Sequence, residues 1–277
     1  VSIYASFIKL EHSLFSLPLL FAGAYLAAKG WPSLRLTFLI LMAGTMARIV
    51  ALGLNRIIDR HIDRRNPRTK ERHLASGIMT LKEAFVLISI CLVLYVFSAW
   101  IISDFCLKLS WIPILAFTVY PYFKRFTHWS HLGLGLVWSL VPLAGYFAVE
   151  PSFENLTPVI LLGLFCTFWL AGFDIIYATQ DEEFDRDHLI HSLPASMGSK
   201  RALKWASFFH FVAFLMLSVL YAGWFSGAIT VMLLFLIGLL LLWEQMVSRY
   251  VEVAFFKMNV LIGFFVLFFI YSGMKGF

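Results

Sequence analysis

Charge is what this sequence has least of. Asp, Glu, Lys and Arg make up only 14% of its 277 residues, against about 25% in a typical soluble domain. Cysteine is scarce too. Cys91, Cys106 and Cys166 stand apart within or at the ends of apolar runs, and no pair has metal-ligand or redox spacing. His12, His61, His73, His188 and His191 form no zinc-ligand pattern and read as interfacial polar residues. Short alternating strands are also missing: the run 231–242 is apolar on all sides, which argues against a β-barrel. What the chain does have is apolar surface. It is 61% hydrophobic, with a mean hydropathy of +0.83. One water-soluble globule of this size cannot hide so much, so lipid must solvate much of it.

Inside lipid, backbone groups must bond within their own segment, and helices do this. Nine spans are expected, over 12–29, 34–58, 81–102, 109–123, 131–149, 157–179, 202–222, 226–246 and 253–274. The fold class is therefore all-α, one domain over 1–277, with the helices around a central cavity. The apolar run Leu14 to Ala28 after Lys9 has the look of a signal peptide, but the chain stays membranous to its end, so it reads as a span. The loops after every second span collect the bases, among them Arg64, Arg65, Arg68, Arg72, Lys124, Arg125, Lys200 and Arg249. The positive-inside rule makes that side cytoplasmic, with the N-terminus inside and the C-terminus outside.

The two longest loops, about 59–80 and 181–201, share this side, and both open on acidic residues continuing from a helix. Thr80-x-x-Glu83 reads as a capping box at the next helix start. Asp181 and Asp185 each stand 122 residues after Asp59 and Asp63. That constant offset points to two pseudo-repeated halves facing one cavity.

Four residues advance a helix face by about 400°, so Asn55, Asp59 and Asp63 share a stripe. By the same rule Asp174, Asp181 and Asp185 share one, with Tyr177 beside it. Stacked carboxylates repel unless a cation lies among them, and Mg²⁺ favours carboxylate, water and phosphate oxygens. Two such clusters on one membrane side suit a clamp on a polyphosphate. The plainer alternative is a pair of solvated helix ends, with Asp59–Arg56 and Asp63–Arg60 as helical ion pairs. Asp174 and Arg48 lie deeper in apolar runs, where an ionisable group is a functional candidate by default. They either pair with each other or line the pocket beneath the metals. Lys124, Arg125 and Lys9 are candidates to hold phosphate oxygens, or else serve as orientation signals; Arg64, Arg65, Arg68 and Arg72 read as topology signals first.

The segment Asn55-Arg-Ile-Ile-Asp59-Arg-His-Ile-Asp63, followed by Asn66-Pro67-Arg68-Thr69 and Arg72, resembles the first Asp-rich motif of the UbiA superfamily of intramembrane prenyltransferases. Asp174-Ile-Ile-Tyr177-Ala178-Thr-Gln180-Asp181-Glu-Glu-Phe-Asp185 resembles its second motif, and Tyr120-Pro121 with Lys124-Arg125-Phe-Thr127 the segment after its fourth helix. Arg48 matches the arginine before the first motif. The resemblance covers essentially the whole chain. It implies an integral plasma-membrane enzyme that moves a polyprenyl group from its diphosphate to an electron-rich aromatic carbon through an allylic carbocation. It implies two Mg²⁺ ions on Asn55, Asp59, Asp63, Asp181 and Asp185, and diphosphate contacts from Lys124, Arg125 and Lys9. Asp174 would orient or deprotonate the acceptor, with Tyr177 between acceptor and diphosphate. Arg48 would meet an acceptor carboxylate or the diphosphate. The expected partners are the two substrates and membrane lipid, with no nucleic acid and no obligate protein partner. Ser130-His131 departs from the Pro-Gln pair of the ubiquinone branch, and Lys9 to Pro18 and His191-Ser-Leu-Pro194 resemble the branch tied to menaquinone made by the futalosine route. The acceptor is then 4-hydroxybenzoate or a hydroxynaphthoate. The alternatives are a glycerol-phosphate lipid acceptor and, from another class, a secondary transporter of an anionic metabolite.

Overall fold

A computed structural model of the chain describes residues 3–9, 13–247 and 257–277. Among these residues all regular structure is helical. The order is α1 (Ile3–Ile8), α2 (Ser13–Ala28), α3 (Leu34–Arg65), α4 (Leu81–Ile102), α5 (Asp104–Leu109), α6 (Trp111–Val119), α7 (Ser130–Val149), α8 (Thr157–Ala178), α9 (Glu182–Asp187), α10 (Leu193–Met197), α11 (Ser199–Trp224), α12 (Ala228–Met246) and α13 (Asn259–Lys275). Two 3₁₀ segments, Tyr120–Arg125 and Thr179–Asp181, follow α6 and α8.

Seven segments are long and apolar enough to cross a membrane: α3, α4, the broken run Asp104–Arg125, α7, the run Thr157–Asp187, α11 and α12. Ser16–Ala28 and Asn259–Lys275 are apolar but shorter. Among the described residues, seven of the nine expected spans are thus helices of sufficient length, and the first and last coincide with the two shorter apolar helices. Residue 12 of the first, residues 253–256 of the last, His12 and Arg249 lie outside the described residues. The outward faces are apolar, with Phe38, Val93, Phe235 and Leu242 all more than 60% exposed, as lipid-facing positions require.

The boundaries differ from expectation where the site is built. Span 34–58 extends to Arg65. Ser33 caps its start by accepting the Leu36 N–H at 3.3 Å, and Asn66 closes its end onto the Ile62 carbonyl. At 32 residues the helix is roughly 48 Å long, well beyond the roughly 30 Å of a hydrocarbon core. The expected loop 59–80 therefore opens as helix, and 181–201 contains α9 and α10. Span 109–123 starts earlier, because Ser103 caps a short helix by accepting the Cys106 N–H at 3.1 Å. It ends as a 3₁₀ segment, where Pro121 has no N–H to continue the α ladder. The Thr80–Glu83 capping box is present with both of its reciprocal bonds.

α8 packs between α7 and α11 and carries Leu162, Phe165, Trp169 and Leu170 into the main core with almost no exposure. In lipid, helices gain little from hydrophobicity and must approach closely to pack. Gly135 permits this for α7 and α8, since a Cβ there would meet the Thr167 carbonyl oxygen at 2.1 Å. Gly145 does the same for α7 and α2, against the Leu20 carbonyl oxygen at 1.9 Å. This packing fixes the ends of α3, α7 and α8 beside one another.

Candidate active site at the helix ends

The last turns of α3 carry Asn55, Asp59 and Asp63 to one polar cavity of about 230 Å³. Asp59 and Asp63 are buried. The Asn55 amide donates to Asp59 Oδ2 at 3.2 Å, and Lys124 Nζ reaches the same oxygen at 2.5 Å. Arg125 stands 4.0 Å from Asp59 Oδ1 while donating to the Ile58 carbonyl at 2.9 Å. Its guanidinium lies over the Tyr122 ring, 4.6 Å from the centroid. Asp63 takes Arg72 Nη1 on both oxygens at 2.9 and 3.0 Å. The local helical pairing is thus overridden: Asp63 bonds Arg72, while Arg60 donates to the Ile57 carbonyl at 2.9 Å.

The second acidic segment reaches the cavity differently. The stripe was expected on one continuous helix, but the 3₁₀ segment after Ala178 interrupts the period. Asp174, Tyr177, Asp181 and Asp185 still line the same cavity. Arg68 grips Asp181, with Nε to Oδ1 at 2.9 Å and Nη2 on Oδ2. Its Nη1 donates to the Tyr177 hydroxyl, and the guanidinium sits 4.5 Å from that ring's centroid. Asn66 adds a bond to Asp181 Oδ1 at 2.8 Å and accepts the Arg68 N–H at 2.9 Å. The stretch 66–72 therefore staples both acidic segments together, a role for Arg68 and Arg72 beyond the topology signal read from sequence. Glu182, one residue on, faces away and holds the start of α11, accepting the Ser199 N–H at 2.9 Å.

Beneath the polar cavity lies a larger apolar one of about 430 Å³. Four residues line both: Tyr120, Leu134, Asp174 and Tyr177. Arg48 lines the apolar cavity. Asp174 Oδ2 and His131 Nδ1 are hydrogen-bonded at 2.7 Å. Lys9 lines neither cavity; it is exposed and takes a left-handed turn with φ 43° at the end of α1. Sequence reasoning missed Asn66 and His131 as site residues. Asn66 was visible within a motif, and His131 only within the Ser130-His131 pair that departs from the ubiquinone branch, where it was given no role.

The donors here are oxygens, which suits a hard divalent cation. Among the described residues no three Asp, Glu, His or Cys side chains stand close enough to share one ion, and Lys124, Arg72 and Arg68 occupy Asp59, Asp63 and Asp181. The chemistry fits the metal, provided that those bases yield.

Comparison with known proteins agrees with this architecture. The chain is 32% identical over 207 residues to a 4-hydroxybenzoate octaprenyltransferase of Legionella pneumophila, covering 74% of this chain and 69% of the relative. The apo structure of a UbiA homolog from Aeropyrum pernix superposes with a TM-score of 0.84 at 30% identity, over 96% of this chain and 98% of that one. A UbiA homolog from Archaeoglobus fulgidus bound to GPP and Mg²⁺ shares the fold, with a TM-score of 0.71 at 19% identity over 99% of each chain. Residues 16–255 match the UbiA prenyltransferase family, so this integral membrane chain belongs to that family and is a prenyltransferase.

Proposed function

We propose that the protein transfers a polyprenyl group from its diphosphate to a hydroxylated aromatic acid, of 4-hydroxybenzoate or hydroxynaphthoate type, in respiratory quinone synthesis. One observation carries this reading. The cavity holding both acidic segments adjoins a larger apolar cavity, and the two meet at Asp174 and Tyr177. A diphosphate suits the first and a prenyl tail the second. The aromatic name of the Legionella relative supports the acceptor class.

Asn55, Asp59, Asp63, Asp181 and Asp185 would hold two Mg²⁺ ions. When bound, these supply positive charge against the leaving diphosphate. Lys124 and Arg125 meet its oxygens as the allylic C–O bond breaks and the electron pair departs with the diphosphate. The apolar walls keep water from the carbocation. Asp174 accepts a hydrogen bond from the acceptor hydroxyl and so enriches the ring. Tyr177 stands between the two substrates. Arg48 faces the acceptor carboxylate. A ring carbon then bonds prenyl C1, and the ring proton leaves through the polar cavity. The site faces the cytoplasm of a plasma-membrane protein, with the N-terminus inside, the C-terminus outside and nine helices in two related halves. That orientation rests on the bases collected in the loops after every second span.

The test is an acceptor panel. Purified protein with Mg²⁺ and a prenyl diphosphate is offered 4-hydroxybenzoate, dihydroxynaphthoates and geranylgeranylglyceryl phosphate, and products are weighed by mass spectrometry. Prenylated aromatic acid is the expected product; a prenylated glycerol phosphate alone would overturn the acceptor assignment.

A further inference from the structure

His131 opens α7 at the edge of the polar cavity and is only 3% exposed. Both of its ring nitrogens are committed. Nε2 accepts the Leu193 backbone N–H at 3.2 Å, so the ring proton sits on Nδ1 and is given to Asp174 Oδ2 at 2.7 Å. An imidazole held this way has no free lone pair with which to take a proton. It can aim a neighbour but not act as a base.

The neighbour is the one that meets substrate. The Asp174 side chain retains 28% exposure while that of His131 retains 4%, so the acid faces the cavities and the imidazole stands behind it. The His131 bond is made to one of the two Asp174 oxygens, Oδ2. The support behind His131 is continuous. Ser130 Oγ donates to the His191 carbonyl at 3.3 Å, and the His191 N–H donates to the Lys124 carbonyl at 2.7 Å. The backbone that carries Lys124 is thus tied, through residues 191–193 and His131, to the carboxylate at the junction of the two cavities.

We propose that His131 is a positioning residue for the aromatic acceptor. It holds Asp174 by one oxygen and leaves the other aimed at the acceptor hydroxyl, without touching the prenyl diphosphate. The proposal rests on the reading of Asp174 as acceptor-facing.

Two variants separate the two bonds. His131→Asn keeps an N–H donor near the position of Nδ1 and gives up the Leu193 anchor. His131→Gln keeps an acceptor near Nε2 for Leu193 and gives up the donor to Asp174. Steady-state kinetics on the purified protein should show His131→Gln lowering kcat/KM for the acceptor about tenfold to hundredfold, the scale of a hydrogen bond to a charged group. His131→Asn should retain most of it, and the KM for prenyl diphosphate should stay within about twofold in both. A purely structural role inverts the order, with His131→Asn the worse variant, and that result overturns the proposal. So does a parallel rise in KM for both substrates. Asp174→Asn is measured alongside. If it cuts acceptor kcat/KM and His131→Gln does not, His131 is not the positioning residue. If it leaves acceptor kinetics unchanged, the reading of Asp174 fails and this proposal with it.

Discussion

Removing Arg68 should change metal and substrate binding in opposite directions. Arg68 holds Asp181 through two guanidinium nitrogens and also bonds Tyr177. A divalent ion needing Asp181 must first displace it. The pair is partly screened, with side-chain exposures of 27% for Arg68 and 13% for Asp181. Hydrogen bonds to a charged group contribute about 1.5–3 kcal/mol when buried, exposed ion pairs about 0.2–1, and this pair lies between, at about 1–2 kcal/mol. Arg68→Ala should therefore tighten Mg²⁺ binding, in the absence of diphosphate, by about fivefold to thirtyfold. A guanidinium freed by the metal is well placed to turn to phosphate oxygens, which it binds in bidentate fashion. The same substitution should raise the KM for prenyl diphosphate by a comparable factor. Isothermal titration of the detergent-purified protein with Mg²⁺ gives the first quantity and initial rates give the second. Unchanged or weaker Mg²⁺ binding in Arg68→Ala would refute the exchange of a base for a metal on Asp181.

Asp59→Ala and Asp181→Ala should each cut turnover about a thousandfold or more, with diphosphate release in the wild type lost to a chelator and restored by Mg²⁺; a near-normal rate in either variant removes that residue from the metal set. Gly135→Ala forces a Cβ to within 2.1 Å of the Thr167 carbonyl oxygen and should lower stability by about 1–3 kcal/mol. Gly223→Ala, with nothing within 4 Å, should be neutral or stabilising by up to about 1 kcal/mol, so equal melting temperatures for the two variants would contradict the close helix approach. Arg48→Leu should raise the KM for an acid acceptor about tenfold or more while sparing its decarboxylated phenol; equal losses on both would move Arg48 to the diphosphate.

The legible parts of this protein are those that local periodicity encodes. Apolar runs located the spans, because a helix in lipid must be apolar along its length. The four-residue spacing of Asn55, Asp59 and Asp63 put them on one face of α3 because that helix continues unbroken to Arg65. The partners of these acids were not legible in the same way. A neighbour rule joins Asp63 to Arg60, three residues away, whereas Asp63 takes Arg72. Asp59 takes Lys124, 65 positions on, and Arg68 reaches Asp181 across 113. The cause is burial. Exposed helical pairs are weak, and once α3 turns its acidic face into the cavity the buried oxygens need cations brought by other elements. The run Asp181-Glu182-Glu183-Phe184-Asp185 makes the same point. Acidic at four of its five positions, it is divided by the 3₁₀ break, so that Asp181 and Asp185 line the cavity while Glu182 binds the start of α11. His131 was the hardest to find, since a lone histidine opening an apolar helix carries no periodic signal at all. Only the meeting of α7, α8 and the 190–193 segment gives it two partners, and with them a direction in which to hold Asp174.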